Sequence, residues 1–87
     1  MSNSKNDLMG LHKEVLEKYR EVVIHHSTLQ EQIKMINDYV DSHNLCEESI
    51  RLCNHDLKEY KEELKKYDGL KTDCERIIAT INLAQVL

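Results

Sequence analysis

The chain has 87 residues, of which 40% are hydrophobic and 32% charged, and it contains no Trp, Phe or Pro. This length allows one domain at most, and such a composition favours long helices over a compact globular interior. The net charge of −4, with no dominant Lys/Arg cluster, argues against direct binding of nucleic acid. We therefore expect an all-α, elongated protein built from coiled-coil-type helices.

The sequence also predicts where the protein resides. It has no apolar run long enough to insert into a membrane, and the polar start from Met1 to Asp7 does not resemble a signal peptide. Its three Cys have no disulfide-framework spacing, which fits a reducing compartment. We expect an intracellular protein, cytoplasmic or nuclear.

Residues 1–6 are polar and are expected to be disordered, followed by a helical coiled-coil domain over residues 7–87. A first helix near residues 7–41 is predicted by apolar side chains that recur every seven residues, at Leu8, Val15, Val22, Leu29 and Ile36. A helix with an apolar stripe this narrow cannot bury the stripe by itself, so the stripe needs a partner surface.

The segment around Asp41, Ser42 and Asn44 is the place where the helix can break, because these side chains compete for backbone hydrogen bonds. A turn there gives a helical hairpin. One long helix is the alternative, because the seven-residue line continues to Ile50 and Leu57 without a slip. Both architectures remain open from the sequence.

A second helix is predicted near residues 45–67 and a short C-terminal helix near residues 71–86. Basic residues followed by Gly69 are typical of a helix C-terminus, and Thr72 with Glu75 has the spacing of a capping box. The apolar face from Leu70 onward is wider than a two-stranded seam requires.

No motif of an enzyme or a cofactor site is present, and we expect neither activity nor cofactor. The residues that most resemble metal ligands are His43, Cys46, Cys53 and His55. On a continuous helix His43 and Cys53 would lie about 15 Å apart, at about 1.5 Å per residue, which is too far for one zinc ion. We therefore predict no metal site.

The predicted function is that of a protein–protein interaction subunit, a scaffold or adaptor that assembles with helices of other chains. A heteromeric partner is favoured over a homomeric one, because a parallel self-pair would stack His43 on His43 and Lys71 on Lys71. The alternative is a regulatory or inhibitory module that binds a folded target through its apolar C-terminal helix. The predicted interaction stripe consists of Val15, Val22, Leu29, Ile36, Ile50, Leu57, Tyr60, Leu64, Tyr67, Leu70, Ile77, Ile78 and Ile81.

The sequence from Leu70 through Lys71 and Asp73, followed by Ile77 and Ile81, resembles the ending of the KxDL-motif proteins. Cys74 stands where that motif has Leu. The family consists of small coiled-coil subunits of complexes that act on lysosomes. The resemblance covers about a dozen residues and implies a small subunit of a vesicle- or lysosome-associated complex.

Overall fold

The computed structural model describes residues 4–86, and the side chains of residues 7–86. Two α-helices, α1 (Ser4–Ser42) and α2 (Glu47–Val86), are joined by a loop over residues 43–46. They pack side by side in opposite directions and form a rod of 66 × 19 × 14 Å. The predicted all-α, elongated fold is confirmed, and of the two open architectures the chain adopts the hairpin.

The loop begins where the last turn of α1 is capped by its own side chains. The Ser42 hydroxyl donates to the Tyr39 carbonyl oxygen over 3.3 Å, and His43 Nδ1 lies 2.9 Å from the same oxygen. These contacts satisfy a carbonyl group that the end of a helix would otherwise leave unpaired. The seven-residue line places His43 in the apolar stripe. In the structure, however, His43 lies in the loop.

The start of α2 is set by Cys46, whose carbonyl oxygen accepts a hydrogen bond from the Ile50 amide over 3.0 Å. Its Sγ lies 3.2 Å from the Ser49 hydroxyl. A side chain that bonds to groups in the first helical turn is characteristic of an N-cap residue. The helix thus begins at Glu47, two residues after the predicted start at residue 45.

The predicted end of the second helix at residue 67, with a separate helix over 71–86, is wrong. The helix α2 continues through Gly69, which does not adopt the left-handed conformation that ends helices. Tyr67 and Leu70, on either side of it, are partly buried, and such burial outweighs the roughly 1 kcal/mol that a glycine costs in a helix interior. Thr72 and Glu75 accordingly lie within the helix, without a capping role.

The helix α1 begins at Ser4, three residues before the predicted start. The disorder predicted for residues 1–6 is therefore wrong for residues 4–6, which form the first turn of α1, and residues 1–3 lie outside the residues that the structure describes. Ser42 is the last residue of α1, one residue after the predicted end at residue 41. These shifts leave the seam between the helices unchanged, because they do not alter the spacing of its residues.

The core is a single row of side chains between the two helices: Val22, Leu29, Leu57, Cys74 and Ile81. Two polar contacts fix the register of the helices. The His26 ring pairs with the Asp68 carboxylate, and the His25 ring stacks on Tyr67 at a centroid distance of 5.2 Å. Residues at the same level along the rod therefore have numbers that add up to 92–94.

Candidate interaction surface

The predicted interaction stripe lies largely in the seam between α1 and α2. Ile50 and Ile77 are exposed, whereas the remaining members are buried or half-buried. The hairpin therefore uses most of the stripe to hold itself together. Contact of these residues with a partner chain stays a prediction. The buried members are Val22, Leu29, Leu57 and Ile81, and the half-buried ones are Val15, Ile36, Tyr60, Leu64, Tyr67, Leu70 and Ile78.

The hairpin has far more surface than a compact chain of its mass. Its accessible surface is 6998 Å², whereas a globular monomer of 10.3 kDa is expected to have about 5,400 Å². Much of the excess is apolar, since several large hydrophobic side chains of the described residues are exposed. They include Met9, Leu11, Ile24, Met35, Tyr39, Leu52, Ile77, Leu83 and Val86.

One shallow apolar groove lies between the helices near the chain ends. Its volume is about 320 Å³, and its lining is dominated by Leu8, Leu11, Ile77, Ile81 and Ala84. The groove spans α1 and α2, so Leu11 and Ile77 lie on the same side of the hairpin. We call this side the groove face. It is extended by every seventh residue, namely Leu11, Lys18, His25, Gln32 and Tyr39 on α1 and Ser49, Asp56, Glu63, Leu70, Ile77 and Ala84 on α2.

A second apolar cluster lies on the groove face near the loop. Met35 precedes Tyr39 by one helical turn. By the register of the two helices, Leu52 on α2 lies level with residues 40–42, nearer to Tyr39 than to Met35. All three side chains are exposed. We call these residues the turn cluster. The groove face thus has an apolar patch at each end.

The middle of the groove face is polar. Lys18 lies 3.6 Å from Glu21 one turn away, and the stacked rings of His25 and Tyr67 lie near the centre of the rod. Glu63 is exposed on the facing stretch of α2. The face therefore alternates along its length between apolar ends and a charged centre.

The three thiols differ in exposure, with Cys46 exposed, Cys53 half-buried and Cys74 buried. The pKa of Cys46 is lowered, chiefly by the hydrogen bond from the Ser49 side chain and also by the Ser49 and Glu48 amides. These groups stabilise the thiolate more than the thiol. Among the residues described, no three His, Cys, Asp or Glu side chains come together in a way that could hold a metal ion.

The sequence had indicated part of this surface. The wide apolar face from Leu70 onward is the α2 side of the groove, where Leu70, Ile77 and Ala84 form a second line beside the seam. The turn cluster was not predicted, because Met35 and Leu52 fall outside the seven-residue line. Both lie in the part of the hairpin next to the loop that joins α1 and α2.

Comparisons with known protein families, characterised proteins and solved structures found no match to the chain. Neither described helix has an apolar stretch long enough to cross a membrane. The distribution of apolar and charged residues on the hairpin is therefore the observation from which a function is inferred.

Proposed function

We propose that this chain is a non-enzymatic assembly subunit, a preformed helical hairpin that packs against partner helices to build a larger bundle. The supporting observation is the exposed apolar surface on a molecule whose own core is one row of side chains. Contiguous apolar patches on a small protein mark interaction sites more often than isolated exposed residues do. The groove face, with its two apolar ends, is the surface that best fits this role.

The hairpin removes one objection to self-association. The preference for a heteromeric partner rested on a parallel self-pair in which His43 and Lys71 meet their own copies. In the hairpin His43 lies in the loop, and Lys71 is half-buried within the chain's own seam. That objection therefore applies to a parallel pairing along the stripe and not to association through the groove face.

The proposal is tested with substitutions at exposed positions. A double change of Leu57 and Leu64 to Asp would also abolish association, but Leu57 is part of the core, so the hairpin itself would unfold. Leu11→Lys with Ile77→Lys changes two exposed residues of the groove face. We expect the tagged full chain with this double change to keep its helical circular dichroism and to lose the helical chains that co-purify with it.

The matched control is Ile24→Lys with Leu83→Lys, which places the same two charges at exposed apolar residues on the outer sides of the hairpin. This variant should retain its partners. Full retention of partners by the Leu11 and Ile77 variant would contradict the proposed function of the groove face.

The second candidate is a regulatory or inhibitory module that binds a folded target through the C-terminal part of α2. It is favoured by Ile77, Leu83 and Val86, which are exposed within the last turns of that helix. Truncation at Gly69 would leave the first half of α1 uncovered, so substitution is the cleaner test. Leu83→Lys with Val86→Lys should abolish binding by an inhibitory module and leave an assembly subunit unaffected.

A further inference from the structure

The second helix separates basic from acidic side chains around its own axis. Over residues 58–66 the sequence mixes lysines with glutamates. Residues three, four and seven positions apart share one side of a helix, so Lys58, Lys61 and Lys65 lie together on one side of α2. A stretch that is mixed in sequence therefore forms a basic strip on the folded helix.

These lysines line a groove of about 480 Å³ whose most buried lining residue is Leu57, which is 8% exposed. Lys65 follows Glu63 of the groove face by two positions, which is about 200° around the helix. The groove therefore lies on the side of α2 that points away from the groove face. We call it the basic groove. It is lined by Asn54, Leu57, Lys58, Lys61, Glu62 and Lys65.

The lysines of the basic groove have no acidic partner within the hairpin. Among the residues that the structure describes, none of the three forms an ion pair. Glu62 lines the same groove but is exposed and pairs with none of them. The Glu59 carboxylate lies 3.3 Å from the His55 ring instead. The ammonium groups are therefore available to carboxylates of another molecule.

The facing stretch of α1 does not neutralise the basic groove. Residues at the same level have numbers that add up to 92–94, which places residues 27–36 level with its lysines. The charged residues of that stretch are Glu31 and Lys34, which cancel. Three lysines and one glutamate give the groove a net charge of +2, whereas the whole chain carries −4. A local field of this sign attracts an acidic partner.

We infer that the basic groove is a second docking surface, which binds an acidic amphipathic helix of another protein. Lys58 and Lys65 are about 10 Å apart along α2, and carboxylates at positions i, i+3 or i+4, and i+7 of a partner helix have the same spacing. Apolar side chains beside those carboxylates would cover Leu57 and the methylene stems of the lysines. This inference goes beyond the proposed function, because it concerns the opposite side of the hairpin and a partner of defined charge.

Other polyanions fit the basic groove less well than a helix does. A phosphate backbone has no apolar group to place over Leu57, and a chain of net charge −4 repels it as a whole. A flat anionic membrane would touch the exposed ammonium groups without reaching the bottom of a groove. A partner helix supplies carboxylates and apolar side chains together, and its charges would fix its register.

The first test measures binding of the full chain to a fluorescent helical peptide that carries Glu at positions i, i+4 and i+7 with Leu on the same side. We expect saturable binding by fluorescence anisotropy. Lys58→Glu with Lys65→Glu should raise the dissociation constant about tenfold, because two attractions become repulsions. Both side chains are exposed, so circular dichroism should show unchanged helices. Lys58→Gln with Lys65→Gln, which removes the charges without adding acid, should weaken binding less.

The matched control is Lys18→Glu with Lys66→Glu. It makes the same change in net charge at two exposed lysines that do not line the basic groove, and it should bind the peptide as the unaltered chain does. Equal weakening in this control would refute the inference, because binding would then depend on overall charge alone. The inference also fails if the unaltered chain does not bind the peptide.

Competition separates the classes of partner. Either a single-stranded RNA oligonucleotide or phosphatidylcholine vesicles with phosphatidylserine would replace the helix as the occupant if it displaced the peptide at lower concentration than unlabelled peptide does. We expect neither to do so.

The proposed function is tested independently of this inference. Leu11→Lys with Ile77→Lys alters only the groove face, and this variant should still bind the acidic peptide. Loss of peptide binding in that variant would contradict a separate second surface. A chain that captures helical partners through the groove face but does not bind the peptide overturns this inference alone.

Discussion

The hairpin has a turn half next to the loop, residues 25–69, and an open half at the chain ends, residues 4–24 and 70–86. The two halves share one continuous seam but differ in how they are held. The turn half is closed covalently by the loop over residues 43–46 and carries the whole net negative charge. The open half is electrically neutral and is held by the packing of Val22, Cys74 and Ile81. This comparison indicates that the acidic charge is concentrated at the loop end of the rod, whereas exposed apolar side chains occur at both ends.

The two halves should differ most in stability when one buried core side chain is shortened in each of them. Leu57→Ala and Ile81→Ala both remove buried methyl groups, and each should cost about 2–4 kcal/mol in the free energy of unfolding. We expect Leu57→Ala to lower the thermal midpoint of the whole molecule. Ile81→Ala should mainly open the far end of the rod, because no loop tethers that end.

Amide hydrogen exchange with thermal circular dichroism distinguishes these results. The Ile81 variant should lose protection at residues of the open half while the amides around Leu57 stay protected. Equal loss of protection in both halves would show that the hairpin unfolds as one cooperative unit and would break the comparison.

The two glycines offer a smaller and opposite effect. A Cβ added at Gly69 or Gly10 meets no atom within 4 Å, and neither residue has a positive φ. Gly69→Ala should therefore stabilise the hairpin by about 0.5–1 kcal/mol through helix propensity. Gly10→Ala should give less, since the first turns of α1 open before the rest. Denaturant unfolding measures both, and an equal gain would mean that the open half does not fray.

The smallest expected effect concerns the thiols. Because hydrogen bonds lower the pKa of Cys46, this thiol forms thiolate at lower pH than an ordinary cysteine. Ser49→Ala removes the largest of these bonds and should move the pH midpoint of Cys46 alkylation upward, with Cys74 as the buried internal reference. An unchanged midpoint would show that the helix amides alone set the pKa.

The sequence predicted the helices and their seam because a seven-residue apolar repeat leaves little choice of structure. It did not decide what covers the stripe. The line from Ile36 through His43 to Ile50 keeps its spacing across the loop. The apolar pattern is therefore the same for a continuous helix and for a hairpin. What distinguishes the hairpin from a continuous helix is the set of side-chain contacts that Ser42, His43 and Cys46 make at the two helix ends.

The predicted boundary at Gly69 failed for a related reason. Glycine ends a helix only where the chain needs the left-handed conformation, and packing on either side of Gly69 keeps the helix intact. The interaction surface was harder to foresee, because the turn cluster joins residues from two helices. Only the register fixed by His26 and Asp68 shows that Leu52 lies near the level of Tyr39 on the other helix.

The loop over residues 43–46 also sets the order in which the chain can condense. Contacts beside the loop close short segments, whereas bringing Leu8 and Ile81 to the same groove closes most of the chain and costs more entropy. The hairpin is therefore expected to fold by zipping outward from the loop, with the open half ordering last. In kinetic terms, changes near the loop should slow folding, and changes in the open half should chiefly accelerate unfolding.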